Sequence, residues 1–156
     1  MEFTDIAMEL SKEAWQASFH HPFVLQLQEG TLEPSIFRYY LIQDAYYLKA
    51  FSEAYHLLAD KTSNEEMKRL LKQNAQSLVE GELFIRQQFF KELGISDQEM
   101  DEQPIAPTCY HYISHIYRQF AEPNLGIAFA SLLPCPWLYH DLGKALNRKP
   151  SPNPLY

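Results

Sequence analysis

A stripe of apolar side chains between residues 37 and 58 limits the folds open to this chain more than any other feature. Its members are spaced alternately four and three residues apart, which places them on one face of a long helix. They are Phe37, Leu41, Asp44, Leu48, Phe51, Tyr55 and Leu58. A second stripe has a similar helical spacing: Leu71, Ala75, Leu78, Glu82, Ile85 and Phe89. No segment alternates as a strand does, so an all-α helical bundle is predicted.

Capping residues, glycines and prolines indicate where the helices begin and end. One long helix is predicted from Pro34 to about Asp60, and a second from a capping box at Ser63–Glu66 to Gly94. A helix is predicted at about Thr4–Phe19, then a turn at His21-Pro22 and a short helix that ends near Gly30. A short helical turn is predicted to start at Ser96, and further helices at about Thr108–Ala121 and Pro123–Asn147. A chain of 156 residues with 46% hydrophobic residues is long enough to bury a core, so residues 1–156 are predicted to form a single domain.

The charge distribution argues against two classes of partner. The net charge is −7 and no Lys/Arg cluster is present, so no nucleic-acid surface is expected. Residues 1–10 lack the basic and apolar segments of a signal peptide, and prolines interrupt the longest uncharged run, so neither export nor a membrane helix is expected. A cytoplasmic location with reduced thiols at Cys109 and Cys135 is the corresponding expectation.

Asp44 is a carboxylate within an otherwise apolar stripe. An ionised carboxylate that faces a core is costly unless it is hydrogen-bonded. Asp44 is therefore either a structural residue, paired to a tyrosine hydroxyl or an arginine, or part of a site in which Tyr47, one turn later, lines the same cavity. Glu82 interrupts the second stripe in the same way and is expected to belong to a structural network.

Cys135 lies in an uncharged run, residues 123–140, that is predicted to be a helix buried on most sides. Pro134 and Pro136 flank it, and a proline inside a helix costs roughly 3 kcal/mol. The pair therefore predicts a bend that directs the sulfur. Tyr139 is one turn further on and faces the same way. Two interpretations stay open: an inert buried thiol, or a nucleophile whose pKa is lowered by nearby hydrogen-bond donors.

Metal binding is a third interpretation. His111 and His115 have the i, i+4 spacing of a zinc pair, but Tyr112 occupies the position where zinc proteases have glutamate. Glu53 and His56 form one Glu-x-x-His motif, whereas di-iron bundles use two. A di-metal or haem bundle would use Glu53, His56, Glu80 and Glu82.

Four segments together resemble the TenA family, the thiaminase II or aminopyrimidine aminohydrolase group. They are HPFV at 21–24, RYYLIQDAYYL at 38–48, SHIYR at 114–118 and LLPCPWLY at 132–139. The resemblance implies a bundle of the haem-oxygenase-like type that holds no haem and assembles as a homotetramer. The family continues through further helices, so the chain is expected to be shortened at its C-terminal end relative to the family.

The resemblance also implies a role for five residues. Cys135 would be the nucleophile that adds to a pyrimidine ring, Asp44 would hold the aminopyrimidine, and Tyr139 would contact the same ring. Tyr47 and Tyr112 would lie beside the thiol and favour its anionic form. The implied reaction is the hydrolysis of an aminomethylpyrimidine or of thiamin, in thiamin salvage, without cofactor or metal. The family's glutamate general acid has no counterpart in these residues, so the alternative is a pyrimidine-binding or regulatory protein without turnover.

Overall fold

Helices make up almost all of the regular structure. The computed structural model describes residues 2–154, apart from the side chains of Glu82 and Arg86, and these residues contain no β-strand. This confirms the all-α prediction. The helices are α1 (Phe3–Phe19), α2 (Pro22–Glu29), α3 (Pro34–Lys61), α4 (Glu65–Ile85), α5 (Lys91–Leu93), α6 (Asp97–Glu102), α7 (Pro107–Gln119), α8 (Leu125–Leu132) and α9 (Pro134–Leu146). A π-helical turn, Arg86–Phe90, joins α4 to α5.

The N-terminal cap of α4 lies one residue later than the capping box at Ser63–Glu66 predicted. Asn64, not Ser63, is the N-terminal cap: its Oδ1 accepts a hydrogen bond from the Met67 N–H at 3.0 Å. Thr62 Oγ1 in turn accepts from the Asn64 N–H at 3.3 Å, which holds the preceding turn. Because asparagine caps a helix as well as serine does, the two positions could not be separated by residue type. The predicted helical path to Gly94 is confirmed, and Gly94 ends it with φ +64°.

Close contacts divide the chain into two compact units. One is residues 34–133, which contain α3 to α8. The other combines residues 1–33 with residues 134–156, and its described part contains α1, α2 and α9. A single domain over residues 1–156 therefore stays a prediction.

The unit of residues 34–133 has its core between α3 and α4. Small residues, Ala54 and Ala59 of α3 and Ala75 of α4, have no exposed surface and allow the two helices to approach closely. At this contact the Ser52 hydroxyl donates a hydrogen bond to the Ala75 carbonyl at 3.2 Å. Larger side chains complete the core: Phe37, Leu41, Ile42, Phe51, Tyr55, Leu58, Leu71, Phe90, Ile95, Met100, Ile116, Phe120 and Leu132. Most members of the predicted α3 stripe are thus buried.

The second unit has less buried surface. Neither α1 nor α9 contains a buried residue. The rings of Trp15 and Trp137 meet edge to face, with centroids 5.5 Å apart. The residues after α9 pack against the end of α2, where the Asn153 side chain donates to the Gly30 carbonyl at 3.4 Å.

The predicted helix over residues 123–147 is interrupted. Helix α8 ends at Leu132 and α9 begins at Pro134, so the expected bend is a break between two helices. Pro134 and Pro136 lie in the first turn of α9, where backbone N–H groups have no partner within the helix. The expected proline penalty therefore does not arise.

The prediction that this run is buried on most sides is wrong. Within α8 only Ala128 and Leu132 are buried, and Tyr139 of α9 is 52% exposed. An uncharged run indicates which surface prefers burial, but the neighbouring elements decide how much of it is covered. None of the helices in the described part of the chain has the length and apolar character needed to cross a membrane.

Candidate active site

Two tyrosines from different helices stack at the contact between α3 and α7. The rings of Tyr47 and Tyr112 have centroids 5.7 Å apart and planes 17° apart. Tyr47 also lies against Phe51, with centroids 5.1 Å apart. Aromatic rings in such offset arrangements attract each other by about 0.5–1.5 kcal/mol beyond their burial. The arrangement forms an aromatic wall within the unit of residues 34–133.

Asp44 and Cys109 lie one turn before the two stacked tyrosines, on α3 and α7 respectively. The Cys109 Sγ donates to the Gln43 carbonyl at 3.6 Å. Burial, and secondly the negative charge of Asp44, raise the pKa of the Cys109 thiol. Asp44 is therefore close enough to act electrostatically on α7, and Cys109 stays protonated and weakly nucleophilic at neutral pH.

Asp44 is half-buried, which corrects the expectation of a carboxylate set against the core. A helical stripe predicts the direction in which a side chain projects. How much of it remains accessible depends on the groups that pack around it, which the stripe does not reveal. A partly accessible carboxylate beside an aromatic wall can accept hydrogen bonds from the edge of a flat ring.

The segment that leads into α7 is bound to α3 by two polar side chains. Gln43, which is 8% exposed, accepts from the Ala106 N–H at 2.7 Å and donates to the Pro104 carbonyl at 3.1 Å. The Tyr46 hydroxyl is 3.0 Å from the carbonyls of both Met100 and Gln103. These bonds locate the start of α7 relative to α3.

Cys135 and Tyr139 lie four residues apart on α9, in the other unit, so both project from the same face of that helix. Cys135 is half-buried and Tyr139 is exposed. Trp137, between them, contacts Trp15 of α1.

The structure thus brings together three of the five predicted site residues, Asp44, Tyr47 and Tyr112, within one unit. Cys135 and Tyr139 form a second pair in the other unit. That the two sets face one chamber stays a prediction, as do the roles of all five residues. Gln43 was missed because it is outside the α3 stripe, and its partners are backbone atoms that no sequence pattern reveals.

Glu53, named in the metal interpretation, is hydrogen-bonded to a tyrosine of α7. Its carboxylate accepts a hydrogen bond from the Tyr117 hydroxyl at 3.1 Å. Among the described residues no three His, Cys, Asp or Glu side chains lie close enough together to hold a metal ion. The Glu82 side chain, named both for a structural network and for the di-metal interpretation, is outside the described residues.

The chain is thus an all-α protein in which a carboxylate, Asp44, and two stacked tyrosines, Tyr47 and Tyr112, lie where α3 packs against α7. The family profile described as TENA/THI-4/PQQC matches residues 10–156, and the chain belongs to that family.

Its relatives include the aminopyrimidine aminohydrolase of Bacillus subtilis, 34% identical over the whole chain and 66% of the relative's length. The enzyme of the same name from Halalkalibacterium halodurans is 28% identical over the whole chain and 70% of its own length. The chain therefore spans about two thirds of the length of these relatives.

Solved structures agree with the family assignment. A TenA homologue from P. horikoshii OT3 superposes with a TM-score of 0.90 at 26% identity, over 100% of this chain and 74% of the other. A protein from Silicibacter sp. TM1040 described as a TenA family transcription regulator superposes with a TM-score of 0.87 at 26% identity, over 95% of this chain and 66% of that one.

Proposed function

We propose that the chain hydrolyses aminopyrimidines through the Cys135 thiol, without a cofactor, in thiamin salvage. The observation that carries the proposal is the cluster of Asp44, Tyr47 and Tyr112 at the α3–α7 contact. A partly accessible carboxylate beside stacked aromatic rings suits a flat heterocycle whose exocyclic amino group donates hydrogen bonds. Relatives named aminopyrimidine aminohydrolase supply further support.

In the proposed reaction each residue acts at a stated bond. Asp44 accepts hydrogen bonds from the aminopyrimidine, and Tyr139 contacts its ring. The Cys135 thiolate forms a bond to a ring carbon, and the displaced electron pair expels the protonated amine from the exocyclic methylene as ammonia. Water then adds to the methylene with loss of a proton, and the carbon–sulfur bond breaks to restore the aromatic ring. The net change is CH2–NH2 plus water to CH2–OH plus ammonia, and the thiazole of thiamin is the equivalent leaving group.

Tyr47 and Tyr112 would favour the thiolate by donating hydrogen bonds to the sulfur. A free thiol with a pKa near 8.5 is only a small fraction thiolate at neutral pH, so stabilisation of the anion increases the reactive population. Asp44 does not serve this purpose, because a nearby negative charge raises a thiol pKa.

The proposal is tested by ammonia release from 4-amino-5-aminomethyl-2-methylpyrimidine. Cys135→Ser should abolish turnover, while Cys109→Ser, which removes the other thiol, should retain it. Equal loss in both variants would contradict the assignment of Cys135 as the nucleophile. Turnover by Cys135→Ser at the wild-type rate would exclude a cysteine mechanism at this position.

A pyrimidine-binding or regulatory protein without turnover is the second proposal. A relative in structure is described as a transcription regulator, which is the observation that favours it. Calorimetric binding of the same pyrimidine by the wild-type chain, with no ammonia released over hours, would support this second function over the first.

We also propose assembly as a homotetramer in the cytoplasm. Large apolar side chains are exposed on α1 and α4, among them Leu10 at 84% and Phe84 at 58%. Exposed apolar groups of this size favour association. Light scattering after size-exclusion chromatography would give the assembly mass, and a monomer at micromolar concentration would contradict the proposal.

A further inference from the structure

Gln43 is a buried amide that uses both ends of its side chain on one short segment. Its Oε1 accepts from the Ala106 N–H and its Nε2 donates to the Pro104 carbonyl, 2.7 and 3.1 Å away. A buried side chain with both polar groups bonded to backbone fixes that backbone strongly, because breaking either bond leaves an unsatisfied buried group.

The segment that Gln43 binds has few hydrogen-bonding groups of its own. Pro104 and Pro107 have no backbone N–H, so neither can donate a hydrogen bond there. Ala106 is the N-terminal cap of α7 and has no side-chain oxygen for that purpose. The α3 side chains therefore supply hydrogen bonds that this segment cannot make for itself at the start of α7.

Tyr46 supports the same segment from one turn further along α3. Its single hydroxyl lies 3.0 Å from two carbonyl oxygens, Met100 and Gln103, just before the residues that Gln43 binds. A tyrosine hydroxyl has one proton to donate, so the two acceptors share it. Gln43 and Tyr46 thus anchor the entry to α7 from successive turns of one helix, α3.

This anchoring bears on the aromatic wall. Tyr47 is one turn after Gln43 on α3, and Tyr112 lies in the second turn of α7, with the ring centroids 5.7 Å apart. A rigid helix transmits any shift at its first residue to the side chains one turn later. The two hydrogen bonds of Gln43 and the stacking of Tyr112 on Tyr47 therefore require the same position of α7 along α3.

We propose that Gln43 is a positioning residue that holds α7 in the register where Tyr112 stacks on Tyr47 beside Asp44. The inference rests on the aminopyrimidine hydrolysis proposed above, for which it adds a residue that acts through Tyr112. A displacement of about 1 Å at a reacting group lowers rates by roughly a hundredfold, so a change of register would be visible in turnover.

The principal variant is Gln43→Met, which keeps the length of the side chain and removes both hydrogen bonds. We expect kcat/KM for the aminomethylpyrimidine to fall by roughly tenfold to a hundredfold. The matched control is Ser52→Ala, which removes a buried hydrogen bond from the same helix to α4 and leaves α7 alone. Its kcat/KM should stay within about twofold of the wild type.

A double variant separates positioning from loss of stability. If Gln43 acts through Tyr112, then Gln43→Met should change kcat/KM by less than about twofold when Tyr112→Ala is already present. If the two losses multiply instead, the two residues act independently and the proposal is overturned.

A readout without substrate keeps this inference distinct from the proposed function. Hydrogen exchange at the Ala106 amide should accelerate in Gln43→Met, and the near-ultraviolet circular dichroism of the tyrosines should weaken. If the wild type neither binds nor turns over the pyrimidine, the proposed function fails. The hydrogen exchange and the circular dichroism would still decide whether Gln43 holds α7 in position on α3. An unchanged exchange rate at the Ala106 amide together with an unchanged spectrum would overturn the positioning role.

Tyr46→Phe, which removes one hydroxyl, should give the same changes to a smaller degree. It is the variant to use if Gln43→Met does not fold.

Discussion

Asp44 influences the groups around it through its charge. It opposes ionisation of Cys109 on α7, and the burial of that thiol opposes ionisation more strongly still. Cys109 is thus kept as a neutral donor to the Gln43 carbonyl. The same carboxylate, being partly accessible, remains able to accept hydrogen bonds from a ligand.

Replacing Asp44 by asparagine tests both effects. The variant keeps the shape and loses the charge, so affinity for the aminomethylpyrimidine should fall by about 1.5–3 kcal/mol, the value of a hydrogen bond to a charged group. The melting temperature should change little, because the side chain is only half-buried. A large fall in melting temperature with unchanged affinity by calorimetry would make Asp44 structural.

The effect of the Asp44 charge on the Cys109 thiol can be measured without any ligand. Removal of the neighbouring charge should lower the pKa of the Cys109 thiol, although burial will keep it above the usual range. Alkylation of Cys109 by iodoacetamide at mildly alkaline pH, measured in a Cys135→Ser background, should be faster when Asp44→Asn is added. An unchanged alkylation rate would mean that the carboxylate does not act on this thiol.

Tyr117 provides a pH-dependent contribution to stability. Burial, then the hydrogen bond and charge of Glu53, raise the pKa of Tyr117 to about 12. Because its folded-state pKa is above that of the unfolded chain, the stabilisation is fully present below about pH 10 and is lost as the pH rises towards about 12.

We expect Glu53→Gln to lower the pKa of Tyr117, since the amide carries no charge. The titration of this one tyrosine is obtained by difference from Tyr117→Phe, using tyrosinate absorbance in the ultraviolet. A titration curve that does not move towards lower pH in Glu53→Gln would contradict the role given to the carboxylate.

At the scale of the elements, two glycines end helices in the same way but in different surroundings. Gly30, after α2, and Gly94, after α5, both have the left-handed conformation, with φ of +73° and +64°. A side chain at Gly30 would meet Asn153 at 3.0 Å and Pro152 at 3.1 Å, whereas nothing lies within 4 Å at Gly94. The end of α2 is therefore also a packing site for residues 152–153.

Alanine at each glycine separates the two contributions. Gly94→Ala should cost about 1–2 kcal/mol of unfolding free energy from the left-handed backbone alone. Gly30→Ala should cost more, because it also displaces residues 152–153. Urea denaturation of both variants measures the difference, and an equal loss would mean that the contact with Asn153 and Pro152 contributes nothing.

At the scale of the whole molecule, buried surface is distributed unequally between the two compact units. Helix α3 contains eleven of the buried residues, including the fully buried Leu58. Helices α1 and α9 contain none. Local stability follows the density of buried apolar contacts, so the two units should differ in how readily they open.

Native-state hydrogen exchange is expected to show this difference. Amides in the middle of α3, near Ala54 and Leu58, should exchange most slowly, and those of α1 and α9 should exchange much faster. Mass spectrometry of peptides from each helix measures the order. If α1 and α9 exchanged as slowly as α3, the chain would be a single cooperative unit, which is what the single-domain prediction requires.

Periodic features of the sequence predicted most of the helices, although not the interruption between α8 and α9. The 4–3 spacing from Phe37 to Leu58 predicted α3, and Gly30 and Gly94 predicted two helix ends, because these signals depend on neighbours along the chain. The cap at Asn64 was assigned one residue early, since adjacent Ser and Asn cap equally well. Two of the family segments contain Asp44, Tyr47, Cys135 and Tyr139, and the family resemblance as a whole added Tyr112 as a fifth site residue.

The sequence by itself determined the helical class, most of the helix bounds and the family, all of which depend on local spacing and residue type. Only the tertiary structure decided that Tyr112 stacks on Tyr47, that Asp44 is half-buried beside Cys109, and that Gln43 holds the entry to α7. Each of these depends on contacts between residues more than sixty positions apart, many of them to backbone atoms. Side-chain patterns carry no record of backbone partners, because every residue offers the same carbonyl and every residue except proline offers the same N–H.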